Sequence, residues 1–322
     1  MQLGFGCANL ASMRAGAGGA ASTRLVQLAH DEGVRFFDVA DAYGDGVAEQ
    51  VLSRAFRSRP DDVTIATKAG FRFSQRPMYE RIARRVLRPV TQRTTPSAMS
   101  RLAETTRGPA YTAQDFSLDY LSQALDGSLR RLAGLTIDCF QVHEPGDVAI
   151  DDILEWAQRS IDSGKFRRFG VCLRPGSDAR PWLASPVVTV AHVAYGLLDQ
   201  SADDQQIPLA AERDAEVITH GVLGQGLLTD NLTAADLAER SPDSERLLEF
   251  RRLAACAGVS SAQAAIWFVR AHPAISVALV GMSSRDSLQA TVRAFNTDPI
   301  DTDLVAQSKD LLRPEPPQPS AS

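Results

Sequence analysis

A repeated strand and helix alternation predicts a closed (β/α)8 barrel, an eight-stranded parallel TIM barrel, for this chain. Two observations carry the prediction. Short apolar runs alternate with amphipathic stretches from end to end, a pattern that demands a parallel sheet covered by helices. Eight such units occupy about 310 of the 322 residues, a count and size that fit the closed barrel better than an open doubly wound sheet.

The strand candidates are, in order, Leu3–Cys7, Arg35–Val39, Val63–Thr67, Cys139–Val142, Arg168–Cys172, Val187–Val193, Val217–Thr219 and Val277–Val280. Each is short and apolar, as strands buried on both faces must be. Between them lie helical stretches such as Ser22 to Gly33, Ser117 to Gly134 and Ser283 to Phe295. A serine can cap the start of each, and Gly33 and Gly134 can end the first two. Residues 1–312 therefore form a single barrel domain.

Two segments depart from the alternation. Residues 69–113 form a long insert after the third strand, with nine arginines, among them Arg72 and Arg76, against two glutamates. Connections of this length are more often functional than idle. The tail 313–322 is rich in proline and is expected to be disordered.

Composition excludes several function classes. The content is 44% hydrophobic and the net charge is -5, so the chain has a core to bury and no global attraction for nucleic acid or an anionic membrane. No apolar stretch approaches about 18 residues, and the N-terminus lacks a basic region followed by an apolar run. A soluble cytoplasmic protein is expected. The four cysteines, Cys7, Cys139, Cys172 and Cys256, lie far apart, without the paired spacing of a zinc site or the density of a disulfide scaffold. No metal is expected.

The chemistry concentrates at strand ends. Asp38 ends the second strand, Tyr43 lies five residues on in Gly33-Val-Arg-Phe-Phe-Asp-Val-Ala-Asp-Ala-Tyr-Gly44, Lys68 ends the third strand, and His143 ends the fourth in Phe140-Gln-Val-His-Glu-Pro145. A barrel builds its active site from these ends, and neighbouring strands are only about 5 Å apart. Tyrosine is a weak acid near neutral pH, but an adjacent ammonium favours its phenolate, and a carboxylate holds that ammonium charged and oriented. An imidazole can polarise a carbonyl toward the same hydroxyl.

With Glu49, the Ala66-Thr-Lys68 strand end and the Val142-His-Glu-Pro145 corner, these residues resemble the landmarks of the aldo-keto reductase superfamily in order and spacing, over nearly the whole chain. The resemblance implies a catalytic tetrad of Tyr43 as general acid, Lys68 as its tuner, Asp38 as the partner of Lys68 and His143 as orienter. It implies reduction of a small-molecule aldehyde or ketone with hydride from NADPH, NADH being the alternative donor.

On the cofactor side the residues diverge. Where the family has Gly-x-Ser-Asn, this chain has Gly170-Val-Cys172-Leu173; where it has a carboxamide-binding Gln, this chain has His192; and where it has a stacking Tyr or Arg, this chain has His220, with Leu223 and Gln225 in the same loop. At the phosphate end, Gly281, Met282, Ser283 and Arg285 lead into a helix whose N-terminus suits an anion. Arg72 and Arg76 suggest an anionic or carrier-linked substrate. A second reading stays open: a non-reductive barrel, either a cofactor-sensing or partner-binding subunit, or a lyase or isomerase using the tetrad for proton transfer alone. The sequence leaves the oligomeric state undefined.

Overall fold

The computed structural model describes residues 1–10, 19–73, 111–298 and 302–313. All eight strand candidates form, as β1 (Gln2–Gly6), β2 (Phe36–Asp38), β3 (Thr64–Ala69), β6 (Cys139–His143), β7 (Arg168–Cys172), β8 (Val188–Ala194), β9 (Glu216–His220) and β10 (Ile275–Val280). They pair in parallel and close in the order β1-β10-β9-β8-β7-β6-β3-β2, the (β/α)8 barrel.

The helices among the described residues are α1 (Ala20–Asp31), α2 (Val47–Phe56), α3 (Leu118–Arg131), α4 (Asp151–Asp162), α5 (Arg180–Leu183), α6 (Gln206–Glu212), α7 (Ala234–Arg240), α8 (Ser244–Cys256), α9 (Ser261–Arg270), α10 (Arg285–Asn296) and α11 (Thr302–Leu311). Among them no single helix is long and apolar enough to cross a membrane.

Of the three serines expected to cap helices, one holds the cap position. Ser117 accepts from the Tyr120 amide and caps α3. Ser22 lies inside α1, where its hydroxyl donates to the Leu10 carbonyl at 3.0 Å, and Gly19 holds the cap position. Ser284, one residue beyond Ser283, caps α10 through a reciprocal pair with Ser287. Two consecutive serines make that one-residue choice invisible from the pattern, because either offers the same hydroxyl.

The strand alternation sorts side chains into two cores. Outward residues such as Phe5, Phe37 and Phe140 join the large core beneath the helices; Phe37 lies 4.8 Å from the Phe56 ring of α2, and Phe140 lies 5.4 Å from Phe166. Inward residues Phe36, Ala66, Cys139, Val190, Ile218, Val277 and Leu279 fill the barrel. Stepping two residues along a strand keeps a side chain on the same face. The inward face therefore runs on to Asp38, Lys68, Gln141 and His143, then to Cys172, His192 and His220, at the C-terminal mouth. Barrel closure and the collection of the polar cluster are one geometric event.

The beginning and end of the long insert form a structure the sequence reading did not anticipate. β4 (Phe71–Phe73) and β5 (Tyr111–Gln114) pair antiparallel beside the mouth. Gln114 donates to the Glu144 carbonyl at 2.8 Å, and Arg174 also binds that carbonyl at 3.1 Å, so the pair is tied to the end of β6. The remainder of the insert, including Arg76, and the tail beyond Arg313 lie outside the described residues.

Gly170 is a point where the barrel has no spare room. A Cβ there would stand 2.8 Å from the Val190 Cβ and 2.9 Å from the Val190 carbonyl oxygen, at a register shift between β7 and β8. Gly170→Ala is expected to lower stability by about 1–3 kcal/mol, since a rigid backbone atom must move. The midpoint of urea unfolding reads this directly, and an unchanged midpoint would show that the strands part freely.

Candidate active site

Lys68 and Asp38 anchor the mouth. They are almost fully buried, at 1% and 4% exposure, with Lys68 Nζ 2.5 Å from each Asp38 carboxylate oxygen and 3.1 Å from the Val39 carbonyl. Three acceptors match the three ammonium hydrogens. Burial opposes the charge on Lys68, but Asp38 outweighs it and holds the ammonium above its ordinary range. Burial also raises the Asp38 carboxyl above its ordinary value, with Lys68 pulling against it.

Tyr43 reaches the site from the turn joining β2 to α2, a tight path in which its amide donates to Ala40 and Asp45 and Gly46 take left-handed conformations. The Lys68 Nζ lies 5.4 Å from the centre of its ring. His143 meets Tyr43 edge-on at 6.2 Å and Phe71 edge-on at 4.8 Å. Burial first, then Lys68 and His220, holds His143 neutral, well below the ordinary 6.5. The four residues meet as the barrel geometry predicts.

The landmark residue Glu49 serves the scaffold. From α2 it accepts from Thr67 at 2.7 Å and from Arg131 of α3 at 2.5 Å, tying two helices to β3 beneath Lys68. Asp41, two residues before Tyr43, is also buried, and burial followed by the Glu49 charge raises its carboxyl to about 8.

The residues at the divergent cofactor positions lie together on β7, β8 and the end of β9. His192 and His220 stack edge to face at 4.9 Å. Burial, then Lys68, holds both imidazoles neutral, with His220 lowered to about 4. Burial lifts the Cys172 thiol to about 12, which leaves it protonated and unsuited to nucleophilic work. Leu173 is buried in the outer core.

Gln141 is the member of this cluster that sequence reading missed. Its carbonyl accepts from His192 Nδ1 at 3.1 Å, fixing that ring and leaving Nε2 with its lone pair. The signal was available: Gln141 sits two residues before His143 in a strand run, hence on the same inward face.

A cleft of about 1000 Å³ opens beside this group and touches it through His220. Gly221, Gly224 and Gln225 line it, and Gln225 is held left-handed at φ 54°, while Leu223 turns partly into the outer core. Beyond the end of β10, Met282 is a buried core side chain, so only its backbone is available to a ligand. Ser283, Ser284 and Arg285 are exposed at the start of α10. The Ser287 hydroxyl already accepts from the amides of Ser283 and Ser284, at 3.2 and 3.0 Å, so an anion there would meet the next amides along. Arg72 is ion-paired with Asp115, its Nε donating at 2.6 Å.

These features can be set beside known proteins. The family model described as Aldo/keto reductase family matches residues 2–313. Pyridoxal 4-dehydrogenase of Microbacterium luteolum is 27% identical over 317 residues, covering 91% of this chain and 89% of its own. The glycerol dehydrogenase of Gluconobacter oxydans has a similar structure, with a TM-score of 0.76 and 22% identity over 99% of this chain and 95% of its own. An aldo/keto reductase of Klebsiella pneumoniae in complex with NADP and acetate aligns with a TM-score of 0.67 and 19% identity, over 97% of this chain and 92% of its own. Barrel, mouth cluster and a match over nearly every residue lead to one conclusion: the chain belongs to the aldo/keto reductase family of oxidoreductases.

Proposed function

We propose that this chain is an NADPH-dependent reductase of a small aldehyde or ketone, with Tyr43 as general acid. The observation that carries the reading is the buried Lys68–Asp38 pair beneath the Tyr43 ring. A permanent ammonium that close favours charge developing on the phenol as its proton leaves. The dehydrogenase name of the relative from Microbacterium luteolum and the NADP held by the related Klebsiella pneumoniae barrel support a nicotinamide cofactor and a carbonyl–alcohol couple.

The residues present fit such a cofactor. His192 Nε2 and His220 Nδ1 are buried polar atoms without hydrogen-bond partners among the described residues, the state expected of groups awaiting a polar ligand. With Cys172 they would hold the carboxamide end. Gly221, Leu223 and Gln225 would follow the middle of the molecule, and Gly281, the Met282 backbone, Ser283 and Arg285 its phosphates. A nicotinamide cofactor held by these residues would supply the hydride that the carbonyl carbon needs. Tyr43 Oη donates its proton to the carbonyl oxygen, and Lys68 stabilises the phenolate left behind. His143, neutral at working pH, orients that oxygen with an N–H. Arg72 is already neutralised by Asp115, so an anionic or carrier-linked substrate would share the guanidinium with that carboxylate.

Titration of the protein with NADPH and NADH by fluorescence, followed by turnover with a panel of aldehydes and ketones, tests the proposal. Binding of neither cofactor overturns it. Tyr43→Phe should lower kcat by about 10²–10⁴-fold, the usual worth of a general acid, and leave NADPH affinity nearly unchanged. Undiminished turnover would remove Tyr43 from the role.

Lys68→Met should be costly in a way that separates charge from catalysis. It strands a buried carboxylate, at about 3–5 kcal/mol, and adding Asp38→Asn should restore much of the stability but none of the turnover. Calorimetry and a rate assay on the two variants check both halves.

The pH dependence follows from His143. Its folded-state pKa lies below the ordinary 6.5, so the unfolded chain takes up the proton first as pH falls. Its contribution is therefore complete above about 6.5 and is lost as pH drops below that value, by up to about 1.4 kcal/mol per pH unit. Wild-type protein should accordingly weaken more steeply between pH 6.5 and 5 than His143→Gln does, as measured by urea unfolding. Parallel curves would show that folding leaves the imidazole's affinity for its proton unchanged.

A further inference from the structure

Cys172, His192 and His220 are far apart in the chain, and nothing in their spacing suggests a ligand set. The barrel places them on three successive strands, with one thiol and two imidazole donor atoms all within 4.8 Å of one another. We propose that these three residues form a binding site for a borderline-soft divalent cation of the zinc class, leaving one coordination position open.

Three observations support the site. The donor set, one sulfur and two imidazole nitrogens, matches the preference of Zn²⁺ for mixed nitrogen and sulfur ligands, and three protein ligands with an open position is a recurrent arrangement. Second, His192 Nε2 and His220 Nδ1 are buried without a hydrogen-bond partner among the described residues; orphaned polar atoms in an interior point to an absent ligand. Third, Gln141 accepts from His192 Nδ1 at 3.1 Å. That bond fixes the tautomer with its lone pair on Nε2, as the outer partner of a metal-bound histidine does. Metal–ligand bonds of about 2.0–2.3 Å require such donors closer together than 4.8 Å, so binding draws His220, at the end of β9 beside the cleft, toward Cys172 and His192.

The nearby Lys68 does not forbid a cation. Its charge is matched by Asp38 at 2.5 Å. Binding replaces the Cys172 thiol proton with the metal and releases that proton to solvent, so a thiolate comes to offset half of the ion's charge. An ion held here lies among the residues assigned above to the carboxamide. Resting on that assignment, metal and NADPH exclude one another, and zinc acts as an inhibitor competitive with cofactor.

Co²⁺ added to cofactor-free protein tests the site by itself. The expected result is one ion per chain by equilibrium dialysis, with ligand-field bands of a tetrahedral ion and a thiolate-to-cobalt charge-transfer band. Cys172→Ser should abolish the charge-transfer band, and His220→Ala should weaken binding by about 100-fold or more. Gln141→Leu, which leaves all three ligands in place, should weaken it by about 10–100-fold. Cys256→Ser, at the exposed cysteine, should change nothing. Absence of stoichiometric binding, or a cobalt spectrum unchanged by Cys172→Ser, overturns the proposal. NADPH should then displace the ion. Failure of NADPH to bind even metal-free protein would sink the reductase reading, while the cobalt spectrum would still decide the metal site.

Discussion

The Lys68–Asp38 pair is the constraint on which the mouth of this barrel depends. An ammonium and a carboxylate at 1% and 4% exposure are tolerable only if each is matched, because an unpaired buried ion carries a penalty of several kcal/mol. The match is made between strands β2 and β3 and completed by the Val39 carbonyl. Every neighbour adapts to the resulting charge. His143, His192 and His220 lose their protons chiefly through burial, with Lys68 adding to the effect, so one fixed cation lies among neutral rings. A site organised in this way has its polarity set before any ligand arrives.

Much of this was legible in the sequence, because both the barrel and the gathering of Asp38, Tyr43, Lys68 and His143 at its mouth rest on short-range rules. Strand runs, the Asp38–Tyr43 interval and the Lys68 and His143 strand ends each lie within a few residues of a recognisable boundary. The features that stayed hidden are those decided by register across the barrel. Gln141 looked like an ordinary strand polar residue until closure placed its carbonyl against His192. Cys172, His192 and His220 showed no ligand spacing, since their proximity is created by strand pairing and by no local motif. The capping of α10 by Ser284 turned on a one-residue choice between identical side chains. The pairing of β4 with β5 joins residues about 40 apart, a contact that no local window displays.

The inward face shows how one geometric rule serves both stability and chemistry. Phe36, Ala66, Cys139, Val190 and Ile218 exclude water from the barrel, and the residues two positions on carry the polar groups. The apolar layer directly below supplies the low-dielectric floor that makes an ion pair and neutral imidazoles strong electrostatic actors. Packing below and reactivity above are consequences of the same alternation.

The pairing of β4 with β5 separates the economics of the insert from those of the barrel. The two strands bring Phe71 to Gln114 and Phe73 to Tyr111, fixing both ends of the intervening segment at one place on the rim. Once ends are fixed, lengthening the chain between them costs only about 0.6 kcal/mol per doubling. Phe71, which meets the His143 ring, belongs to the fixed part. Evolution can therefore rewrite residues 74–110 in length and composition while the strand that touches His143 stays in place, an arrangement suited to diversifying what meets the mouth of an unchanged barrel.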